Sequence, residues 1–192
     1  MSGQVSALCK SVRYQLRNVG VIRKYLTCSA TEKIVHALIS SRLDFCNSLL
    51  YQLPNTQIAR LQRLQNTTAR IVTLSNRRSH ITPVLKSLHW LPMQFRIVFK
   101  LLLLVFHCLQ GSAPEYNTNL FIQYHPSRNL RSSNSFLLVV PKTHKLWGDR
   151  SFAHAGSSLW NELPHDIRNI PDVHTFKMTL KTHLFKTAFC NS

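Results

Sequence analysis

Apolar residues recur along most of this chain at the three-to-four-residue spacing of an amphipathic helix. Between residues 5 and 26 the stripe runs through Val5, Leu8, Val12, Leu16, Val19 and Ile22. Ser29 and Glu32 stand at the spacing of a capping box and predict the start of a second helix. Its sequence, "ATEKIVHALISSRLDFCNSLL", keeps Ile34, Val35, Leu38, Ile39, Phe45, Cys46 and Leu49 on the repeat. Pro54 and Asn55 are expected to stop that helix and cap the next.

The third segment, "NTQIARLQRLQNTTARIVTL", places Ile58, Leu61, Gln65, Thr68 and Val72 along one stripe, and gathers Arg60, Arg63 and Arg70 on the other side. Arg77 and Arg78 follow just beyond its end. "HITPVLKSLHWLP" predicts a short helix between Thr82 and Leu91, and Pro92 sits where a first helical turn tolerates it, opening "MQFRIVFKLLLLVFHCLQ". Gly111 is the expected C-cap. Residues 97–109 are apolar on almost every side, so this helix is expected to lie at the centre of the fold.

From 124 to 150 the pattern changes to Ser, Asn, Pro and basic residues, interrupted by the β-like run "FLLVV". Two further helices, over 152–162 and 172–189, flank "LPHDIRNIP". The expected fold is therefore mostly α: an irregular multi-helix bundle with a central apolar helix, a Ser/Pro/basic loop holding one short strand, and a C-terminal helical pair. The expected organisation is a helical domain over 1–123, a linker over 124–150, and a C-terminal segment over 151–192 packing on the first domain.

Composition adds one strong constraint. Against 24 Lys+Arg stand 7 Asp+Glu, a formal charge of +17 in 192 residues. A polyanion is the partner such a surface attracts, nucleic acid first and an anionic membrane surface second. The run "LLLLVFHCL" is well short of the roughly 20 residues that span a bilayer, so a buried helix is expected there and no membrane segment. Before Glu32 the chain carries Lys10, Arg13, Arg17, Arg23 and Lys24 and no acid, which reads as a basic surface helix. Five cysteines without a framework suit reduced thiols in an intracellular compartment, nucleus or cytoplasm.

Catalytic constellations are weakly represented. "KLWGDRSFAHAGSSLWNELP" crowds Asp149, Ser151, His154, Ser157 and Ser158 together, but triad members generally come from distant segments, and no G-x-S-x-G elbow is present. The stretch reads better as a helix with Phe152, Ala155, Leu159, Trp160 and Leu163 on its apolar side. The seven acids, Glu32, Asp44, Glu115, Asp149, Glu162, Asp166 and Asp172, lie apart, with no pair suited to a two-metal centre. No glycine loop fits a phosphate cradle, no Cys/His spacing fits zinc, and no cofactor is expected. Trp90, Trp147 and Trp160 sit in apolar neighbourhoods and are expected in the core. What remains is binding through Arg60, Arg63, Arg70, Arg77 and Arg78, whose planar forks suit phosphate oxygens.

Several stretches, in order, resemble the C-terminal part of LINE-type non-LTR retrotransposon polyproteins: "SRLDFCNSLLYQLP" (41–54), "LQRLQNTTARIVT" (61–73), "HITPVLKSLHWLP" (80–92), "RIVFKLLLLVFHCLQGSAPEY" (96–116), "LRSS" (130–133), "WGDRSFAHAGSSLWNELP" (147–164) and the closing "FKMTLKTHLFKTAF". The similarity runs from about residue 3 to 189, and the combination is far more specific than any one motif. The resemblance implies the thumb and post-thumb tail of a reverse transcriptase, making 1–123 a thumb-like domain that grips template and primer. The palm with its catalytic carboxylates would lie upstream, so the chain is expected to be a non-catalytic fragment. RNA or DNA, held by its phosphates, and a palm domain are the implied partners; the alternative is a transposon remnant exposing an orphaned palm-facing surface. No small-molecule substrate is implied.

Overall fold

The computed structural model describes residues 2–124, 136–144 and 146–190, with backbone alone at 2, 146 and 147. It is mostly α-helical, and the described residues fall into two compact units, 1–97 with 188–192 and 98–187.

The first unit opens with α1 (Ser2–Ile22), continued by a 3₁₀ turn at Arg23–Tyr25. Val5, Cys9, Val12, Leu16, Val19 and Arg23 are its buried residues, at alternating steps of four and three. Cys9 and Arg23 thus replace Leu8 and Ile22 on the expected stripe, and Ile22 is exposed. α2 (Cys28–Val35) is capped by Thr27, whose hydroxyl accepts from the Ala30 N–H, and not by the expected Ser29. The local sequence offers hydroxyls at 27, 29 and 31, and starting at Cys28 places Thr31 inside the core.

The expected continuous second helix is broken into pieces. α2 passes through a π turn at His36–Ser40, closed by Ser41 N–H bonding the His36 carbonyl, into α3 (Ser41–Asp44). Thr31, Val35, Ile39 and Leu43 are all buried, at steps of four. On a regular helix each such step drifts by about 40°, and the wider turn absorbs that drift. Cys46 then adopts φ 51° and the chain leaves the helix, long before Pro54.

α4 (Asn55–Thr73) begins after Pro54, whose ψ of 138° supplies the extended cap backbone and whose carbonyl accepts from Gln57 N–H; Asn55 is the first helical residue and not the cap. Leu61, Leu64, Gln65, Thr68, Ala69 and Val72 are buried. Thr68 Oγ1 bonds locally, donating to the Leu64 carbonyl at 2.8 Å, whereas Gln65 Nε2 reaches the distant Leu91 carbonyl at 2.7 Å and its Oε1 is buried with no donor among the described residues. Ser6 Oγ accepts from Arg60 near the start of α1 and α4, and Arg23 reaches Ile71 and Val72 near their ends, so the two helices run parallel.

Leu74 ends α4 in the left-handed region, at φ 54°, while its side chain is 69% exposed. That conformation costs an L-residue about 1–2 kcal/mol and costs glycine little. Leu74→Gly is therefore expected to raise the unfolding free energy by about 1 kcal/mol, seen as a higher urea midpoint at unchanged slope. A lower midpoint would show that the leucine side chain contributes packing worth more than its strain.

α5 (Ile81–Ser87) leads to Trp90, buried in a T-shaped contact with His36 at 5.7 Å between ring centroids. α6 (Met93–Leu109) starts after Pro92, and Gln62 Oε1 accepts from the Met93 N–H at 2.8 Å. Its residues Met93 and Ile97, in the first unit, and Leu101, Leu102, Val105, Phe106 and Cys108, in the second, are buried. Burial pushes the Cys108 thiol pKa above its usual value. The unit boundary thus falls inside a helix, and 98–123 belongs with 151–187 instead of closing a domain at 123. A polar composition does not by itself mark where one core ends.

In the second unit, Gly111 at φ 66° terminates α6 as expected: Gly111 N–H bonds the Cys108 carbonyl and Ser112 N–H the His107 carbonyl, a Schellman ending. α7 (Glu115–Thr118) and α8 (Leu146–Asp149) are single turns. Residues 125–135 and 145 of the expected linker lie outside the described residues. "FLLVV" forms one antiparallel bridge, Leu138 opposite Gln123, and no strand. Tyr124 N–H and Val139 N–H bond across the bridge, while Leu138 turns its backbone the other way and both gives to and takes from the Asn161 amide at 2.8 Å. A helix side chain thereby stands in for a neighbouring strand.

α9 (Phe152–Glu162), α10 (His165–Arg168) and α11 (Val173–Cys190) complete the chain, close to the predicted helical pair. Asp172 caps α11, its carboxylate accepting from the Thr175 N–H and hydroxyl, which holds its pKa below the usual carboxylate range. Phe176 stacks on Phe106 at 4.2 Å and on Trp160 at 5.8 Å, forming the aromatic centre of this unit. A Cβ at Gly156 would stand 2.8 Å from both the Phe121 ring and a Val105 methyl, so α9 approaches α6 as closely as glycine alone permits.

Candidate nucleic-acid interface

α1 and α4 each carry a second stripe beside the buried one. On α1 it is Ser6, Lys10, Arg13, Arg17, Gly20 and Lys24, one residue on from the buried set at each step. On α4 it is Arg60, Arg63, Thr67, Arg70 and Leu74, with Arg77 at the next step beyond the helix. Ser6 bonds Arg60, and Gly20 lines a depression of about 580 Å³ with Thr67, Arg70 and Leu74. These contacts set the two stripes along the same seam.

The five arginines singled out from sequence occupy different stations there. Arg60 is half-buried, donating to Gln57 Oε1 at 3.0 Å and Ser6 Oγ at 3.2 Å. Arg63 is exposed about one turn further on. Arg70 donates from Nη2 to the Ser79 carbonyl at 3.1 Å, and its Nε is buried with no acceptor among the described residues. Arg77 is exposed and lines the depression with Arg70 and Arg23. Arg78 is exposed in the following turn, where its backbone N–H bonds Asn76 Oδ1, and does not line the depression. The structure therefore joins Arg70 to Arg77, keeps Arg60 and Arg63 on the same stripe, and leaves Arg78 at the margin.

The α1 cations Lys10, Arg13, Arg17 and Lys24 are exposed and extend the site beyond those five. Their spacing of three, four and seven was visible, as was the lack of acids before Glu32. The parallel pairing with α4 that gives the spacing its meaning was not.

Arg23 plays a different part. Its guanidinium donates to the carbonyls of Ile71 at 2.8 Å, Leu26 at 2.7 Å and Val72 at 2.9 Å, and the residue is 8% exposed. Two of the carbonyls that the end of α4 leaves without helical partners are thereby satisfied.

Nothing acidic offsets this surface. Neither α1 nor α4 contains an Asp or Glu, and across 1–97 the acids are Glu32 and Asp44. Asp44 takes a two-pronged bond from Arg96, and Glu32 lies 3.7 Å from His36. Among the described residues, no seam cation forms a salt bridge with a carboxylate.

The Ser/His/Asp cluster is arranged for structure. Ser151 Oγ caps α9 by accepting the His154 backbone N–H, His154 Nδ1 lies 2.9 Å from the Pro141 carbonyl, and its Nε2 is 4.0 Å from Asp149. Ser157 is fully buried. Trp90 and Trp160 are in the core as expected, while the Trp147 side chain lies outside the described residues. A second concavity, about 300 Å³, is bordered by Phe106, Phe136, Leu138, Trp160 and Arg168. Burial pulls the Arg168 pKa below its usual value, so this space disfavours the cation that borders it. No helix among the described residues is long and apolar enough to cross a membrane. Compared with protein-family models, with curated proteins and with solved structures, the chain finds no match.

Proposed function

We propose that this chain is a non-catalytic module that grips nucleic acid by its phosphates along the α1–α4 seam, the part a reverse transcriptase thumb would play. One observation carries the reading: two parallel helices set cation stripes along a common seam while neither contributes an acid. The buried, unmatched Nε of Arg70 adds a donor that a phosphate oxygen would satisfy. Three of the seven carboxylates are engaged elsewhere, Asp44 with Arg96, Asp149 with Thr143 and Asp172 in a cap, and among the described residues no acids gather into a group that could hold a metal ion, which supports a role without a polymerase centre. A second reading, a docking face for a palm domain, is favoured by Phe45 and Leu49, 79% and 55% exposed where the chain leaves α3.

Anisotropy titrations of labelled oligonucleotides across a salt series test the first reading. Removing one phosphate-binding cation should flatten the slope of log K against log salt by about 0.7 to 0.9. Arg63→Ala with Arg70→Ala, and separately Arg13→Ala with Arg17→Ala, are each expected to flatten it by about twice that. An α1 pair without effect would confine the interface to α4, and salt-independent binding by the unchanged protein would overturn the reading.

A further inference from the structure

We infer that the nucleic acid held at this seam is single-stranded, its bases stacking on Tyr14 and Tyr25 while its phosphates lie on the neighbouring cations. The inference rests on the phosphate-gripping reading above and names its substrate class.

A third stripe along α1 and the 3₁₀ turn that continues it, Tyr14, Asn18, Val21 and Tyr25, adjoins the cationic one at the same steps. Tyr14 is 63% exposed, Val21 71% and Tyr25 77%. These rings stand in solvent next to Lys10, Arg13, Arg17 and Lys24, which are also exposed. Lys24 Nζ sits 4.8 Å from the centroid of the Tyr25 ring, fixing a cation against an aromatic surface that remains open.

The chemistry of these two stripes suits one kind of polyanion. A duplex turns its sugar-phosphate backbone outward and keeps its base faces stacked inside, so exposed tyrosines and a valine would meet phosphates and bury nothing. A single strand offers both parts at once: phosphates for the cations and open base faces for the rings, each stacked base contributing about 1–3 kcal/mol. An ordinary protein partner would suit the tyrosines, but it would leave four adjacent cations desolvated without counter-charge. Tyr14 and Tyr25 are eleven residues apart, roughly 16 Å along the helix axis, so they serve bases separated by several nucleotides.

The test uses the full chain, a labelled oligouridine and an RNA duplex of equal phosphate count. Tyr14→Ala with Tyr25→Ala is expected to weaken oligouridine binding by roughly tenfold or more, leaving its salt slope and the duplex affinity unchanged. Tyr14→Phe with Tyr25→Phe keeps the rings and is expected to bind as the unchanged protein does. Far-UV circular dichroism verifies that these surface changes leave the helices intact. Equal losses on both probes, or no loss on oligouridine, would overturn the inference while the phosphate reading stands. Salt-dependent binding absent from both probes would remove both.

Discussion

Arg23→Met is expected to lower the unfolding free energy by about 3 kcal/mol. The methionine fills much of the buried arginine's volume, but it leaves the carbonyls of Ile71 and Leu26 without their donor and that of Val72 with only the weak Cys28 thiol at 3.5 Å. A buried acceptor stripped of its partner costs about 1–3 kcal/mol, and hydration at the edge of the site returns part of that. The cation's favourable position at the negative end of α4 is lost as well. Arg23→Lys restores the charge but offers a point donor in place of a fork reaching three carbonyls, so it is expected to recover only a minor share. Urea unfolding measures both variants, and amide exchange in the last turn of α4 localises the damage. A loss under about 1 kcal/mol for the methionine variant would mean that water replaces the guanidinium freely.

Trp160→Ala is expected to cost still more, about 4 kcal/mol, through the second unit. The indole is 2% exposed, stacks against Phe176 and donates its N–H to the Phe136 carbonyl at 2.9 Å. Truncation opens a large void beside the Phe106–Phe176 stack, which is already fixed at 4.2 Å and cannot easily spread to fill it. Trp160→Phe keeps an aromatic face but forfeits the hydrogen bond, and should fall between the two. Near-ultraviolet circular dichroism reports the loss of ring packing, and chemical denaturation its magnitude. If alanine costs less than about 2 kcal/mol, α11 must be able to collapse onto α9.

How far the sequence foretold these features depended on whether the physics was local. Spacing placed α4, α6, α9 and α11 within a few residues, because a helix facing a core must repeat its apolar positions. Gly111 announced the end of α6 because glycine is the residue that adopts that turn most cheaply. Leu74 and His89 end their helices with the same left-handed geometry and carry no such sign, since neither residue type marks a helix end in sequence as glycine does. The cap of α2 was misplaced for the opposite reason: several hydroxyls could serve, and the burial of Thr31 decided among them.

The candidate site follows the same division. Arg60, Arg63 and Arg70 were legible as a face because segregation of charge on one helix is a local pattern. Lys10, Arg13, Arg17 and Lys24 were visible as residues but not as part of that face, which required the neighbour relation between α1 and α4. Arg23 looked like one more surface cation. Its internal role emerges only where the end of a helix remote in sequence presents two unsatisfied carbonyls to it.

The π turn at His36–Ser40 bears on any comparison of this chain with another. Its wider loop holds one residue more than the α-helical path over the same length. A chain that runs straight through this stretch would align with a one-residue gap in the middle of a helix, where gaps are ordinarily penalised most. Scored without that gap, one flank of the pair would fall out of phase, and core positions such as Ile39 and Leu43 would be set against surface ones. Similarity between two such chains would then be undercounted on one side of the turn, although their cores were built alike.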